Sequence, residues 1–256
     1  MTFELPSSEI IDRSPIEINT RKCLILSDLH IPYHNNTAIS AALSHGLRAG
    51  VDTILLNGDV IDFYQLSRFT KDPRKECVAE ELARVKMLFT TIRKHFKRAQ
   101  IYYIAGNHEE RLEHYAMNSA TALVGVAGLD LEHMMDLDKF RIRLIRDKRR
   151  AMIGRLNVLH GHEYQGIGFA ISPARGIFMK AKAPTIVGHC HRKSDYSEKT
   201  LDGKSIGCWS TGCLCDMSPD YSPYNNWCHG FAIVELDDSG HYTVHNHYIS
   251  KDGIVY

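Results

Sequence analysis

Residues 23–30 read Cys23-Leu24-Ile25-Leu26-Ser27-Asp28-Leu29-His30: an apolar run that stops at an acid and a histidine two positions apart. So short an apolar run bounded by polar residues predicts a buried strand rather than a helix. The pattern recurs four times. Thr53–Leu56 ends at Gly58-Asp59, Ile101–Ala105 at Gly106-Asn107-His108, Leu156–Leu159 at His160-Gly161-His162, and Thr185–Val187 at Gly188-His189-Cys190-His191.

Helical patterns separate the first runs. Asn36 is placed to cap a helix with Ile39, Leu43 and Leu47 on one face. Residues 75–97 carry the strongest helical stripe, Val78, Leu82, Val85, Phe89, Ile92 and Phe96. Strand alternating with helix predicts an α/β fold with parallel pairing and right-handed crossovers. Residues 110–138 read as helices, with Leu112, Tyr115 and Ala116 on one face, and Phe140, Ile142 and Leu144 alternate as in a half-exposed strand. A further helix is expected from about Phe169 to Lys182, followed by a strand-rich C-terminal third in which Asp202-Gly203 makes a hairpin turn. No linker-like break interrupts residues 1–256, so a single domain is expected, with residues 1–20 as a mobile or edge-binding lead-in.

The bulk numbers fit that picture. The chain has 256 residues, 44% apolar and 24% charged, enough to bury a core, and a net charge of +1 that neither requires nor excludes a nucleic-acid partner. Residues 1–15 lack signal-peptide order, and no apolar run approaches the roughly 18 residues of a membrane span. Seven cysteines without a disulfide framework point to a reducing cytoplasm.

Functional groups gather at the carboxyl ends of strands in an α/β sheet, so the five polar stretches should converge on one rim. Six of the chain's 15 histidines lie in them. Carboxylate, imidazole and amide oxygen together suit Mn, Fe or Zn better than Mg or Ca. One carboxylate can bridge two cations about 3.5–4 Å apart, the arrangement that clamps a phosphate and acidifies a water.

The series Asp28-x-His30, Gly58-Asp59-x-x-Asp62, Gly106-Asn107-His108-Glu109, His160-Gly161-His162 and Gly188-His189-x-His191 resembles the complete motif set of the calcineurin-like metallophosphoesterases. The resemblance spans residues 28–191. It implies two packed mixed β-sheets flanked by helices, an αββα sandwich, with a site for two divalent metal ions at one edge: Mn first, with Fe, Zn or Ni as alternatives. Asp28, His30, Asp59 and His191 would hold one ion; Asp59, Asn107, His160 and His189 the other. His108 would face the leaving-group oxygen, Asp62 would orient it, and His162 would touch the phosphate or support the site. Family members that serve as binding scaffolds tend to lack His108 or a bridging ligand, whereas both are present here.

The family's protein Ser/Thr phosphatases carry an arginine after the second Asp of Gly-Asp-x-x-Asp, where Phe63 stands here. That departure favours a phosphodiester, in a nucleotide or nucleic acid, over a phosphomonoester of a small metabolite, unless another arginine reaches the site. Weaker signals remain. The basic residues Arg141, Arg143, Arg146, Lys148, Arg149, Arg150 and Arg155 read as a solvated face rather than a polyanion track. Cys208, Cys213, Cys215 and Cys228 read as buried thiols rather than a zinc site. Trp209, Tyr221, Tyr224 and Trp227 read as loop filling before a base-stacking wall. His34 and His229 carry no assigned task.

Overall fold

The computed structural model describes residues 3–167 and 171–256. In chain order the elements are β1 (Ile16–Glu17), β2 (Lys22–Leu26), α1 (Asn36–Ala49), β3 (Thr53–Asn57), α2 (Val78–His95), β4 (Gln100–Ile104), α3 (Glu110–Ser119) and α4 (Leu131–Met134). There follow β5 (Ile142–Ile145), β6 (Ala151–Ile153), β7 (Leu156–Leu159), α5 (Pro173–Ala181), β8 (Thr185–Val187), β9 (Ser194–Lys199), β10 (Ser205–Ser210), β11 (His229–Leu236) and β12 (Tyr242–Ile249).

These strands make two six-stranded sheets among the described residues, ordered β12-β11-β2-β3-β4-β5 and β1-β6-β7-β8-β10-β9. In the first, β2 through β5 pair in parallel, and β11 joins β2 antiparallel. In the second, β7, β8 and β10 pair in parallel, β6 runs antiparallel to β7 but parallel to β1, and β9 runs antiparallel to β10. Side-chain alternation divides each strand between layers. Cys23 and Ile25 face the second sheet, against Ile153, Val158 and Ile186. Leu24 and Leu26 face α1 and α2, where Ile39, Val85 and Phe89 pack. Helix α5 covers the second sheet's outer face through Ile177 and Phe178. The result is helices, sheet, sheet, helix, as the motif resemblance implied.

Several boundaries differ from the sequence reading. Asn35, not Asn36, caps α1, accepting from the Ala38 amide at 2.9 Å. The buried stripe of α1 is Ala38, Ile39, Ala42 and Gly46, while Leu47 is 51% exposed. A strict four-residue spacing drifts about 40° per step around a helix of 3.6 residues per turn, which carries Leu47 out to solvent. Helix α2 starts only at Val78, where Cys77 and Glu80 form a capping box. Helix α3 has no fully buried residue, so its expected apolar face covers little. The chain from Phe3 to Ser14 is exposed, after which β1 pairs with β6; neither of these short strands was expected. Phe169, the expected start of α5, lies outside the described residues; the helix begins at Pro173 after a Ser172 cap.

Candidate metal centre

The five polar stretches meet, but from two sheets rather than one. The ends of β2, β3 and β4 supply Asp28, His30, Asp59, Asn107 and His108; the ends of β7 and β8 supply His160, His162, His189 and His191. The backbone turns sharply after each strand. Asp28, His30, Asp59, His189 and His191 all take left-handed conformations, with φ of 57, 49, 52, 61 and 55°. A non-glycine residue there is strained by about 1–3 kcal/mol, and such strain clusters at functional sites. Gly58 makes room for the neighbouring stretch: a Cβ on it would stand 2.3 Å from His160 Nδ1.

Two donor groups share one carboxylate. Ligand atoms of Asp28, His30 and Asp59 lie within 4.8 Å of one another, as do those of Asp59, His160 and His189. His191 Nε2 is 3.2 Å from Asp28 Oδ1 and 3.1 Å from His30 Nε2. Asn107 Oδ1 is 3.3 Å from His160 Nε2, which is itself 3.2 Å from Asp59 Oδ2. All seven expected ligands are therefore in one cluster. The imidazoles are also oriented for it. His160 donates from Nδ1 to the Asn57 carbonyl at 2.7 Å, and His30 Nδ1 faces Asp62 Oδ1 at 3.1 Å, so both turn Nε2 inward. Mixed oxygen and imidazole donors with inward lone pairs fit divalent transition metals.

Electrostatics agree with that reading. Burial opposes ionisation of Asp28, yet His191 beside it holds its carboxyl down at about 2. Burial likewise works against the Asp59 carboxylate, but His160, His108 and His30 keep it well below the usual range. His160 and His191 are raised despite burial, because Asp59 and Asp28 respectively stabilise their charged forms. Burial, with His160 nearby, lowers His189 to about 4. Acids and imidazoles here stabilise one another's charged forms, and a bound cation would take over that role.

His108 stands beside this cluster, its Nε2 3.8 Å from Asp59 Oδ2. Its Nδ1 faces the Asp62 carbonyl at 2.9 Å and Asp62 Oδ1 at 3.1 Å. Asp62 thus contacts the rings of both His108 and His30. His162 lies next to the cluster rather than in it: its ring is 5.4 Å from that of His160, Nε2 is 3.2 Å from Glu110 Oε1, and Nδ1 has no hydrogen-bond partner among the described residues.

Two residues carry more than the sequence reading gave them. Glu109 is buried and accepts from the amides of Asp59, Val60 and Gly106 at 2.9, 2.9 and 2.7 Å, which locks the β3 and β4 turns together. Arg111 places Nη2 3.1 Å from His108 Nε2 and donates from Nη1 to the Asp62 carbonyl at 2.8 Å. Its place in the first turn of α3 gives no local signal, and only the fold brings it to His108. Phe63, by contrast, is fully buried in the helix-side core.

The remaining signals resolve locally. Among the basic residues, Arg146 pairs with Glu132 at 3.1 Å, Lys148 with Glu110 at 3.5 Å, and Arg149 bonds the Ser14 carbonyl at 2.9 Å. All seven cysteines are free, and Cys208 packs against α5, away from the metal-ligand cluster. Cys215 Sγ is 3.9 Å from His191 Nδ1 and forms, with His30 and His191, a further group of atoms close enough to share a metal. His34 Nδ1 faces the Pro32 carbonyl and His229 Nδ1 the Cys213 carbonyl, so both have structural partners. No helix among the described residues is long and apolar enough to cross a membrane.

The family model for calcineurin-like phosphoesterases matches residues 21–209. Among curated proteins, the Gene 54 proteins of Mycobacterium phages L5 and D29 are each 23% identical, over 85% of this chain and 90% of theirs. Among solved structures, a single mutant of Vps29 from Entamoeba histolytica is 16% identical with a TM-score of 0.46, covering 92% of this chain and 96% of its own. The phosphoesterase Yfce from E. coli is 14% identical with a TM-score of 0.42, covering 91% and 96%.

Proposed function

Because the chain belongs to the calcineurin-like phosphoesterase family, we propose that it is a two-metal phosphodiesterase. The observation that carries this reading is Asp59, whose carboxylate belongs to both donor groups, Asp28-His30-Asp59 and Asp59-His160-His189. Asp28, His30, Asp59 and His191 would hold one divalent ion, and Asp59, Asn107, His160 and His189 the other, with Mn the first choice for this donor set. When bound, such a pair supplies Lewis-acid polarisation of the phosphoryl group and a water acidic enough to attack near neutral pH.

The protein's own groups do the rest. Burial opposes the charged form of His108, yet Asp59 and Asp62 raise it, which suits a group that would give a proton to a leaving oxygen. Asp62 keeps its ring in register. Arg111, pinned by the Asp62 carbonyl, donates from Nη2 to His108 Nε2, and a phosphate oxygen that took over this donor would have the guanidinium and the imidazole beside it. No charged group approaches from position 63, since Phe63 is fully buried, which supports a diester with one fewer negative charge than a monoester. Arg111 favours a second reading, a phosphomonoesterase, because it supplies the arginine that position 63 lacks.

Hydrolysis of bis-p-nitrophenyl phosphate and of p-nitrophenyl phosphate, each with Mn, separates the two. The diester should be the better substrate by kcat/KM; the reverse order would replace the first reading with the second.

A further inference from the structure

The segment joining β10 to β11 runs beside the His191 edge of the metal-ligand cluster. The Trp227 ring lies against His191 at 4.1 Å between centroids, crossed at 68°, and Tyr221 stands 6.1 Å from Trp227. Trp227 is half-buried, but the two tyrosines do not fill the loop. Tyr221 is 76% exposed and Tyr224 97% exposed, whereas aromatics that serve as packing are covered. Trp209, read with them from the sequence, belongs elsewhere: it packs on Tyr242 at 6.3 Å.

The loop is held in shape by its own polar groups. Asn225 donates from Nδ2 to the carbonyls of Met217 and Ser222, both at 2.8 Å, and accepts from the Trp227 amide at 3.0 Å. Lys75 pairs with Asp220 at 2.8 Å, which ties the loop to the segment before α2. Between Met217, Ser218, Pro223, Tyr224, Asn225 and Trp227 is a cleft of about 460 Å³. An exposed, braced aromatic surface that continues into a phosphoester site has the form of a stacking platform.

We propose that this loop is a nucleobase subsite, so that the phosphoester cleaved belongs to a nucleotide whose base stacks on Tyr221, Tyr224 and Trp227; this rests on the phosphoesterase reading above. The Asn225 amide is spent inside the loop, so the subsite grips the flat face of a base and reads little of its edge.

The test uses the full chain with Mn and compares AMP with ribose 5-phosphate as inhibitors of bis-p-nitrophenyl phosphate hydrolysis. Stacking of one base should make AMP the tighter inhibitor by about tenfold or more. Tyr221→Ala and Tyr224→Ala should each move that ratio towards one, and Tyr248→Ala, on β12, should leave it alone. Equal inhibition by the two compounds in the unmodified protein, or a ratio indifferent to both loop variants, would overturn the subsite. A second readout does not need turnover: AMP should quench tryptophan fluorescence more than ribose 5-phosphate does, and Trp227→Phe should abolish that difference. Quenching without hydrolysis would sustain the subsite while sinking the phosphoesterase reading; hydrolysis with equal inhibition would sink the subsite alone.

Discussion

Arg111 Nη2 lies 3.1 Å from His108 Nε2, so a fixed guanidinium and an imidazole meet at the edge of the metal-ligand cluster. Arg111→Ala should lower kcat/KM by roughly 10²–10³-fold, the scale of losing one preorganised donor to a developing negative charge. Arg111→Lys should recover only part of this, because an ammonium lacks the planar fork. Bound Mn should stay at the unmodified level in both. Kinetics and metal content measured on the same samples check this; unchanged kcat/KM in Arg111→Ala would reduce the residue to a brace for Asp62.

His108 and Asp62 separate by what each touches. His108→Ala should retain metal and lose roughly 10²–10⁴-fold in kcat on an ester with a poor leaving group. The loss should shrink with a p-nitrophenolate leaving group, which departs without a proton. Asp62 faces both His30 and His108 at 3.1 Å, so Asp62→Asn should weaken Mn binding as well as slow turnover. A Mn titration by calorimetry on both variants distinguishes them.

Much of this arrangement was legible in the residues, because a buried strand ending in a metal-binding side chain leaves a local mark that needs no tertiary information. Asp28-x-His30 and Gly188-His189-x-His191 are such marks. What they lacked was the partner. That the β7 and β8 ends approach the β2 and β3 ends across a sandwich follows from the packing of Ile25 and Leu55 on Val158 and Ile186, which only three dimensions provide. Leu47 misled because a four-residue spacing reads as one face, although it drifts around a helix of 3.6 residues per turn. Arg111 was missed because an arginine near the start of a helix usually serves the surface, and only its distance to His108 distinguishes it.

Glu81 gives a pH signature of its own. It is fully buried, Oε1 accepts from the Tyr64 amide at 3.0 Å and Oε2 has no hydrogen-bond partner among the described residues. Burial, with Asp62 nearby, raises its carboxyl to about 7 from the ordinary 4.5. The folded chain therefore holds this proton more tightly than the unfolded one. The resulting stability is complete below about pH 4.5 and drains away as pH rises through 7, a total on the order of 3 kcal/mol. Glu81→Gln keeps the Tyr64 bond and never ionises, so its melting temperature should exceed that of the unmodified protein at pH 8 and match it near pH 4.5. Parallel melting curves across that range would expose the opposite trend.

Gly58 allows a further check on backbone geometry. With φ at 82° and His160 Nδ1 at 2.3 Å from any added Cβ, Gly58→Ala should cost about 1 kcal/mol or more in stability. It should also displace His160, lowering Mn stoichiometry. Retention of full stability and two bound ions would show that the turn tolerates a side chain.

The most direct measurement is metal content per chain for the unmodified protein and for Asp59→Ala, each dialysed after loading with Mn. Shared ligation by Asp59 predicts two ions per chain in the first and near none in the second, with His108→Ala keeping both. If Asp59→Ala still held two ions, or the unmodified protein held none, residues from the two sheets would not form a paired-cation site and the hydrolytic account would fail.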